Sequence, residues 1–300
     1  MSQDSFSLPA AARPGRVALR VGSLDRVIPF YREVLGLEAD REGNQVRLRA
    51  SGTPLLELQE APDAPERGPE EAGLFHVAFL YPDRAALGER LEAIRASDYD
   101  LTGASDHNVS EALYLRDPES NGVELYRDRP AEQWPSSDDG GVDIDTLPLD
   151  LADLARAAND EDEREHDHRP VDVNAGGDLA APAGTTVGHV HLETTDLART
   201  EAFYVDGLGL RVRSRYGEGA SFLAAGDYHH HLGLNSWNDR SERAAGNGRG
   251  LAWFELVVPE AETLDRVTER LAERGHAVDR RDSRAIVIDP DGTELRLKAA

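Results

Sequence analysis

The chain has no cysteine, one lysine and one methionine in 300 residues. Without thiols there can be no disulfide, no thiolate nucleophile, no iron–sulfur cluster and no Cys-ligated zinc, so any metal must be held by His, Asp or Glu. No apolar run approaches the length of a membrane-spanning helix. The N-terminal MSQDSFSLPAAARPG lacks the basic start and apolar stretch of a secretory signal, so a cytoplasmic protein is expected. Positive charge is scarce: 33 Lys and Arg against 57 Asp and Glu leave a net charge of −24, which disfavours nucleic acid and anionic membranes as partners. An acidic, lysine-poor surface resembles that of proteins from high-salt cytoplasm, where salt screens the self-repulsion, and the protein is expected to be halophilic. A homo-oligomer is left open.

What the chain does have is internal repetition. RVALRVGSLDRVIPFYREVLGLEA from Arg16 matches HVHLETTDLARTEAFYVDGLGLRV from His189. Each is an alternating strand, a turn, a short helix carrying Phe-Tyr, and a Leu-Gly-Leu helix stop. GLFHVAFLYPDRAALGERLEAI from Gly73 matches GLAWFELVVPEAETLDRVTERL from Gly250, and both lead into strands through an Asp-Pro, LYLRDPESNGVELY and IVIDPDGTELRL. The chain therefore contains four units, each a strand, a helix and about three more strands, starting near residues 16, 74, 187 and 250. A spacer, 131–183, lies between units two and three. Its first half offers an apolar face at Leu147, Leu149, Leu151 and Leu154, which predicts a docking helix. Its second half is charged and aperiodic and reads as a solvated, disordered linker containing His166 and His168.

Three consecutive histidines, His229, His230 and His231, stand in DYHHHLGLNSW. On a strand, successive side chains alternate in face, so the triplet by itself cannot form one site.

Paired βαβββ units with a His on the first strand and a Glu on the last resemble the vicinal oxygen chelate superfamily of glyoxalases, bleomycin-resistance proteins and extradiol dioxygenases. DHNVSEALYLRDPESNGVELYRDRPAEQW, with GHVHL and HHHLGLNSW, resembles the two-domain catechol-2,3-dioxygenase group. The resemblance implies an α+β fold: four βαβββ units forming two domains, 14–130 and 184–300, with incomplete cupped β-barrels. It also implies metal ligands on the first and last strands of two units that share a cup. Unit one offers Arg16 and Glu57, unit two His76 and Glu124, unit three His189 and His231, and unit four Trp253 and Arg296. His191 shares a face with His189, and only the repeat alignment favours His189. Arginine cannot coordinate a metal.

Two pairings are open. If unit two joins unit three, one cup holds His76, Glu124, His189 and His231, and the other is unable to bind metal. If units pair in sequence, His189 and His231 face Glu294. On either pairing His231 is expected on the cup side and His230 away from it. Two His and one Glu with open positions form the face of a non-haem Fe(II) site, with Mn(II) sharing the same ligand types. The function implied is an extradiol ring-cleaving dioxygenase acting on a small aromatic diol and O2, with His107 moving protons and Tyr114 beside the substrate. The alternatives are a glyoxalase-like isomerase or lyase, and a small-molecule-binding protein without turnover.

Overall fold

The structure, a computed structural model, describes residues 6–137, 140–160 and 179–300. His166 and His168 lie outside the described residues. Unit one runs β1 (Arg13–Val21), α1 (Leu24–Glu33), β2 (Glu38–Glu42), β3 (Gln45–Ala50) and β4 (Thr53–Glu60). Unit two runs β5 (Gly73–Leu80), α2 (Arg84–Ala96), β6 (Gly103–Asp106), β7 (Ser110–Arg116) and β8 (Gly122–Asp128). The spacer supplies β9 (Leu147–Pro148) and α3 (Leu151–Ala157). Unit three runs β10 (Thr186–Glu193), α4 (Leu197–Ala202), β11 (Arg211–Tyr216), β12 (Ala220–Ala224) and β13 (Leu232–Asn235). Unit four runs β14 (Gly250–Val258), α5 (Ala261–Glu273), β15 (Val278–Arg281), β16 (Arg284–Ile288) and β17 (Glu294–Ala299).

The helices form where the sequence signals converge. Asp83 caps α2 by accepting from Ala86 N at 2.7 Å, and Asp196 caps α4 by accepting from Arg199 N at 3.0 Å. In α5, Leu264, Val267 and Leu271 recur at helical spacing and are fully buried.

Two curled sheets carry the fold, an α+β architecture of two incomplete cups. One sheet has the order β15-β16-β17-β14-β1-β4-β3-β2 and the other β11-β12-β13-β10-β5-β8-β7-β6-β9. Unit two therefore joins unit three through the antiparallel seam β5–β10, and unit four joins unit one through β1–β14. Each sheet takes one unit from 14–130 and one from 184–300. In every unit the first and last strands are parallel neighbours. The Phe-Tyr motifs tie the two sheets: Tyr31 Oη donates to Asp117 Oδ2 and Tyr204 Oη donates to Asp289 Oδ2, both at 2.9 Å. Each acceptor is the Asp of an Asp-Pro turn on the opposite sheet.

The spacer's first half departs from the expected single helix. Pro148 cannot continue a helix, so Leu147 and Pro148 pair as a short strand on β6. The helix begins only after Asp150, whose side chain accepts from Ala152 N and Asp153 N. Leu154 is buried, and Leu147 is 40% exposed. Among the described residues no helix is long and apolar enough to cross a membrane.

Candidate metal centre

The β5–β10 seam brings the chemistry together. Its register pairs His76 with His191 and Ala78 with His189, so the two strands are related about the Val77–Val190 pair. That pseudo-twofold puts His76 and His189 in equivalent positions. On β8, Glu124 lies beside Ala78. The equivalent place on β13, beside His191, is Gly233. The cup therefore offers ligand side chains at three of its four matched positions.

Those three converge. His76 Nε2 is 2.9 Å from Glu124 Oε2, His189 Nε2 is 3.0 Å from the same oxygen, and the two ring nitrogens are 3.2 Å apart. All three side chains are buried. Ligands about 2.1 Å from a cation stand about 3.0 Å apart at right angles and about 3.4 Å apart in a tetrahedron. The observed triangle matches one face of an octahedron, and the donor set suits a divalent transition metal. Burial would raise the Glu124 carboxyl, but the facing His189 and His76 outweigh it and hold it well below the usual carboxylate range. Burial lowers His189 against the pull of Glu124, which favours the neutral form that can ligate.

Two glycines make room for this geometry. A Cβ on Gly233 would stand 2.7 Å from Cγ of His191, and one on Gly188 would stand 1.8 Å from Oη of Tyr126, whose ring packs against His189.

A cavity of about 380 Å³ opens above the triad. Phe75, Phe222, Trp237 and Ile144 form its apolar walls, and His107, Tyr114, His191 and His230 its polar ones. On the unit-two side, Tyr114 Oη is 2.7 Å from His107 Nε2, and His107 Nδ1 is 2.6 Å from the Asp145 carbonyl oxygen. A carbonyl only accepts, so the neutral ring carries its proton on Nδ1 and Nε2 accepts from Tyr114. Burial, then the facing Glu124 carboxylate, push the Tyr114 phenol well above its ordinary range. His191 Nε2 accepts from Asn235 Nδ2 at 3.0 Å and lines the cavity outside the triad.

The triple histidine behaves differently from the expectation of alternation. His229, His230 and His231 precede the regular register of β13, which starts at Leu232, although His231 N already donates to the Leu223 carbonyl at 2.7 Å and its carbonyl accepts from Val190 N at 3.2 Å. Strand parity does not apply there. His230 lines the cavity with its ring centroid 4.1 Å from that of His189. His231, expected as a fourth ligand or base, faces away: it stacks on Tyr228, and its Nδ1 accepts from Ala225 N at 3.2 Å. His229 is fully buried, with Nε2 2.7 Å from Asp128 Oδ1 and Nδ1 2.7 Å from His230 Nδ1. Donation of His229 Nε2–H to Asp128 leaves Nδ1 to accept from His230 Nδ1–H. Nε2 of His230 then carries the free lone pair, and burial, then the neighbouring His189 and His229, hold this ring well below the ordinary histidine range and so neutral. Sequence reasoning missed this chain. The available signal was the Gly226-Asp227 turn just ahead of the triplet.

The other positions considered lie in the second cup. Arg16 Nη1 is 3.8 Å from Glu57, the guanidinium carbons of Arg16 and Arg296 stand 5.4 and 4.0 Å from the Trp253 ring centroid, and Arg296 Nε bonds Glu294 at 2.7 Å. Glu294 is thus not in the cup that holds His189.

Comparison with known proteins agrees with this architecture. The profile of the glyoxalase/bleomycin resistance protein/dioxygenase superfamily matches residues 13–125 and 186–297. The catechol-2,3-dioxygenase of Bacillus subtilis (strain 168) is 36% identical over 92% of this chain and 93% of its own. A biphenyl-2,3-diol 1,2-dioxygenase of Rhodococcus globerulus is 30% identical over 42% of this chain and 68% of its own. The crystal structure of glyoxalase I from Zea mays shares the fold, with a TM-score of 0.56 at 17% identity, over 96% of this chain and 92% of its own. By the repeated family match and by a relative that spans almost its whole length, this chain belongs to the glyoxalase/bleomycin resistance protein/dioxygenase superfamily.

Proposed function

We propose that the protein is a non-haem Fe(II)-dependent extradiol dioxygenase that opens the ring of a catecholic compound with O2. The observation that carries this reading is the buried facial triad His76, Glu124 and His189 at the base of an aromatic-walled cavity. The names of the relatives, dioxygenases of catechol and of biphenyl-2,3-diol, favour the same chemistry. Mn(II) shares the ligand preference.

His76, Glu124 and His189 would hold the metal, which would supply Lewis acidity that makes a diol hydroxyl easier to ionise. The chain's own residues do the rest. Glu124 contributes the one negative charge of the triad. Phe75, Phe222 and Trp237 seat a flat ring and keep water out. Tyr114, held protonated by its surroundings, donates into the His107 ring, and the Asp145 carbonyl fixes that ring's tautomer. On the opposite wall His230, oriented by His229 and Asp128, accepts a proton from a substrate hydroxyl through Nε2. General acid–base groups then stand on two sides of the ring.

The test is anaerobic reconstitution with Fe(II) in high salt, followed by catechol and oxygen. A yellow ring-opened product with one O2 consumed per catechol is expected. Metal-loaded protein that consumes no oxygen across a series of catechols sinks the proposal and points to isomerase chemistry.

A further inference from the structure

The cup built by units one and four lacks a matched set of metal ligands but has a hollow of its own. A cavity of about 250 Å³ sits on the inner face of that sheet, floored by Trp253 and Leu251 of β14 and flanked by Arg20 of β1 and Arg296 of β17. By strand register, Arg296 stands beside Glu255 as Glu124 stands beside Ala78, so it fills the place of the metal-binding glutamate.

The lining of this hollow holds Arg20, Arg67, Arg249 and Arg296 with Glu71 and Glu294. Arg67 pairs with Glu193 at 2.8 Å and Arg249 with Glu66 at 3.6 Å, which leaves Arg20 and Arg296 to face a ligand. Both acids are engaged: Glu71 accepts from Gly68 N at 2.7 Å, and Glu294 from Arg296 Nε at 2.7 Å. Arg20 has no ion pair among the described residues and donates only to the Gly248 carbonyl, at 2.7 Å. Among the described residues Arg296 bonds through Nε alone, and its guanidinium carbon stands 4.0 Å from the Trp253 ring centroid, which leaves its terminal amino groups for a ligand. Trp253 is 2% exposed, and its indole Nε1 has no acceptor among the described residues. A buried donor left unpaired is costly and uncommon in native proteins.

We propose that the second cup binds a small organic carboxylate, held by Arg20 and Arg296 with its body against Trp253 and Leu251. A planar carboxylate matches the guanidinium fork. The apolar floor favours an organic body over a bare inorganic anion, and the volume limits it to a small one. The chain then carries two cups of different chemistry, one taking a metal and the other an anion.

Calorimetric titration of the full chain with benzoate, at constant chloride, tests this. One saturable site is expected, weakened at least tenfold in Arg20→Gln and in Arg296→Gln and retained in Glu124→Gln, which disables the metal cup. The two arginines lie on different strands, so misfolding of one variant leaves the other as the test, and each variant's melting curve shows which applies. Binding unchanged in a folded arginine variant overturns the assignment, as does binding lost in folded Glu124→Gln. Equal affinity for inorganic phosphate assigns the cup to oxyanions in general and overturns the organic carboxylate.

Discussion

His230 and His231 are neighbours in the chain, yet one lines the metal cavity and the other stacks on Tyr228 away from it. His76, Glu124 and His189 were legible because the repeat puts them on regular strands, where register carries a side chain's direction from unit to unit. The triplet was not, because its direction is set by a turn and by the Asp128–His229 hydrogen bonds. We expect His76→Ala, His189→Ala and Glu124→Gln to weaken metal binding beyond the roughly 10–100-fold that loss of a ligand's outer partner costs. His231→Ala and Glu294→Ala keep the metal; elemental analysis after dialysis separates the two groups. His230→Ala and Tyr114→Phe retain metal and lower kcat by about 10²–10⁴-fold, read in an oxygen-uptake assay. Burial, reinforced by His229, lowers His231 to about 3 from the ordinary 6.5. The unfolded chain takes up this proton below pH 6.5 and the folded one refuses it. The stability His231 contributes is therefore complete above pH 6.5 and is lost as pH falls toward 3. Urea unfolding of metal-free His231→Leu should show a shallower loss between pH 7 and 5, by up to about 1.4 kcal/mol per pH unit.

Each first strand, amphipathic helix and Asp-Pro turn could be read from alternation, capping residues and the repeat. The elements the sequence hid belong to the spacer. β9 is two residues long, too short for any periodicity, and Ile144 reaches the cavity from irregular chain just before it. The Phe-Tyr pair was visible as a motif, but its partner was not. Tyr31 and Tyr204 each donate to a buried aspartate that also gathers the backbone amides of its own turn, with Asp289 accepting from Asp291 N and Thr293 N. A hydrogen bond to an ionised acceptor is worth about 1.5–3 kcal/mol. Tyr31→Phe and Tyr204→Phe should each lower Tm by several degrees, measured by calorimetry. Because the two sites lie in different unit pairs, the double variant should show additive losses.

At the scale of the whole molecule, the sequence left two pairings open, since both bury the same strand faces and give similar cups. The seams β1–β14 and β5–β10 decide between them, and hydrogen bonds between strand edges leave little trace in composition. The charge of −24 has a consequence for the intact chain: raising KCl from about 0.1 M to 2 M should increase Tm, as screening relieves surface repulsion. Little change in Tm over that range would remove the argument for a high-salt habitat. The exchange of units between halves also bears on how the protein is made. When synthesis has reached residue 185, His76 and Glu124 exist, but the strand carrying His189 does not. A chain that stops short of β10 therefore cannot assemble the metal centre, which waits until the two middle units have met.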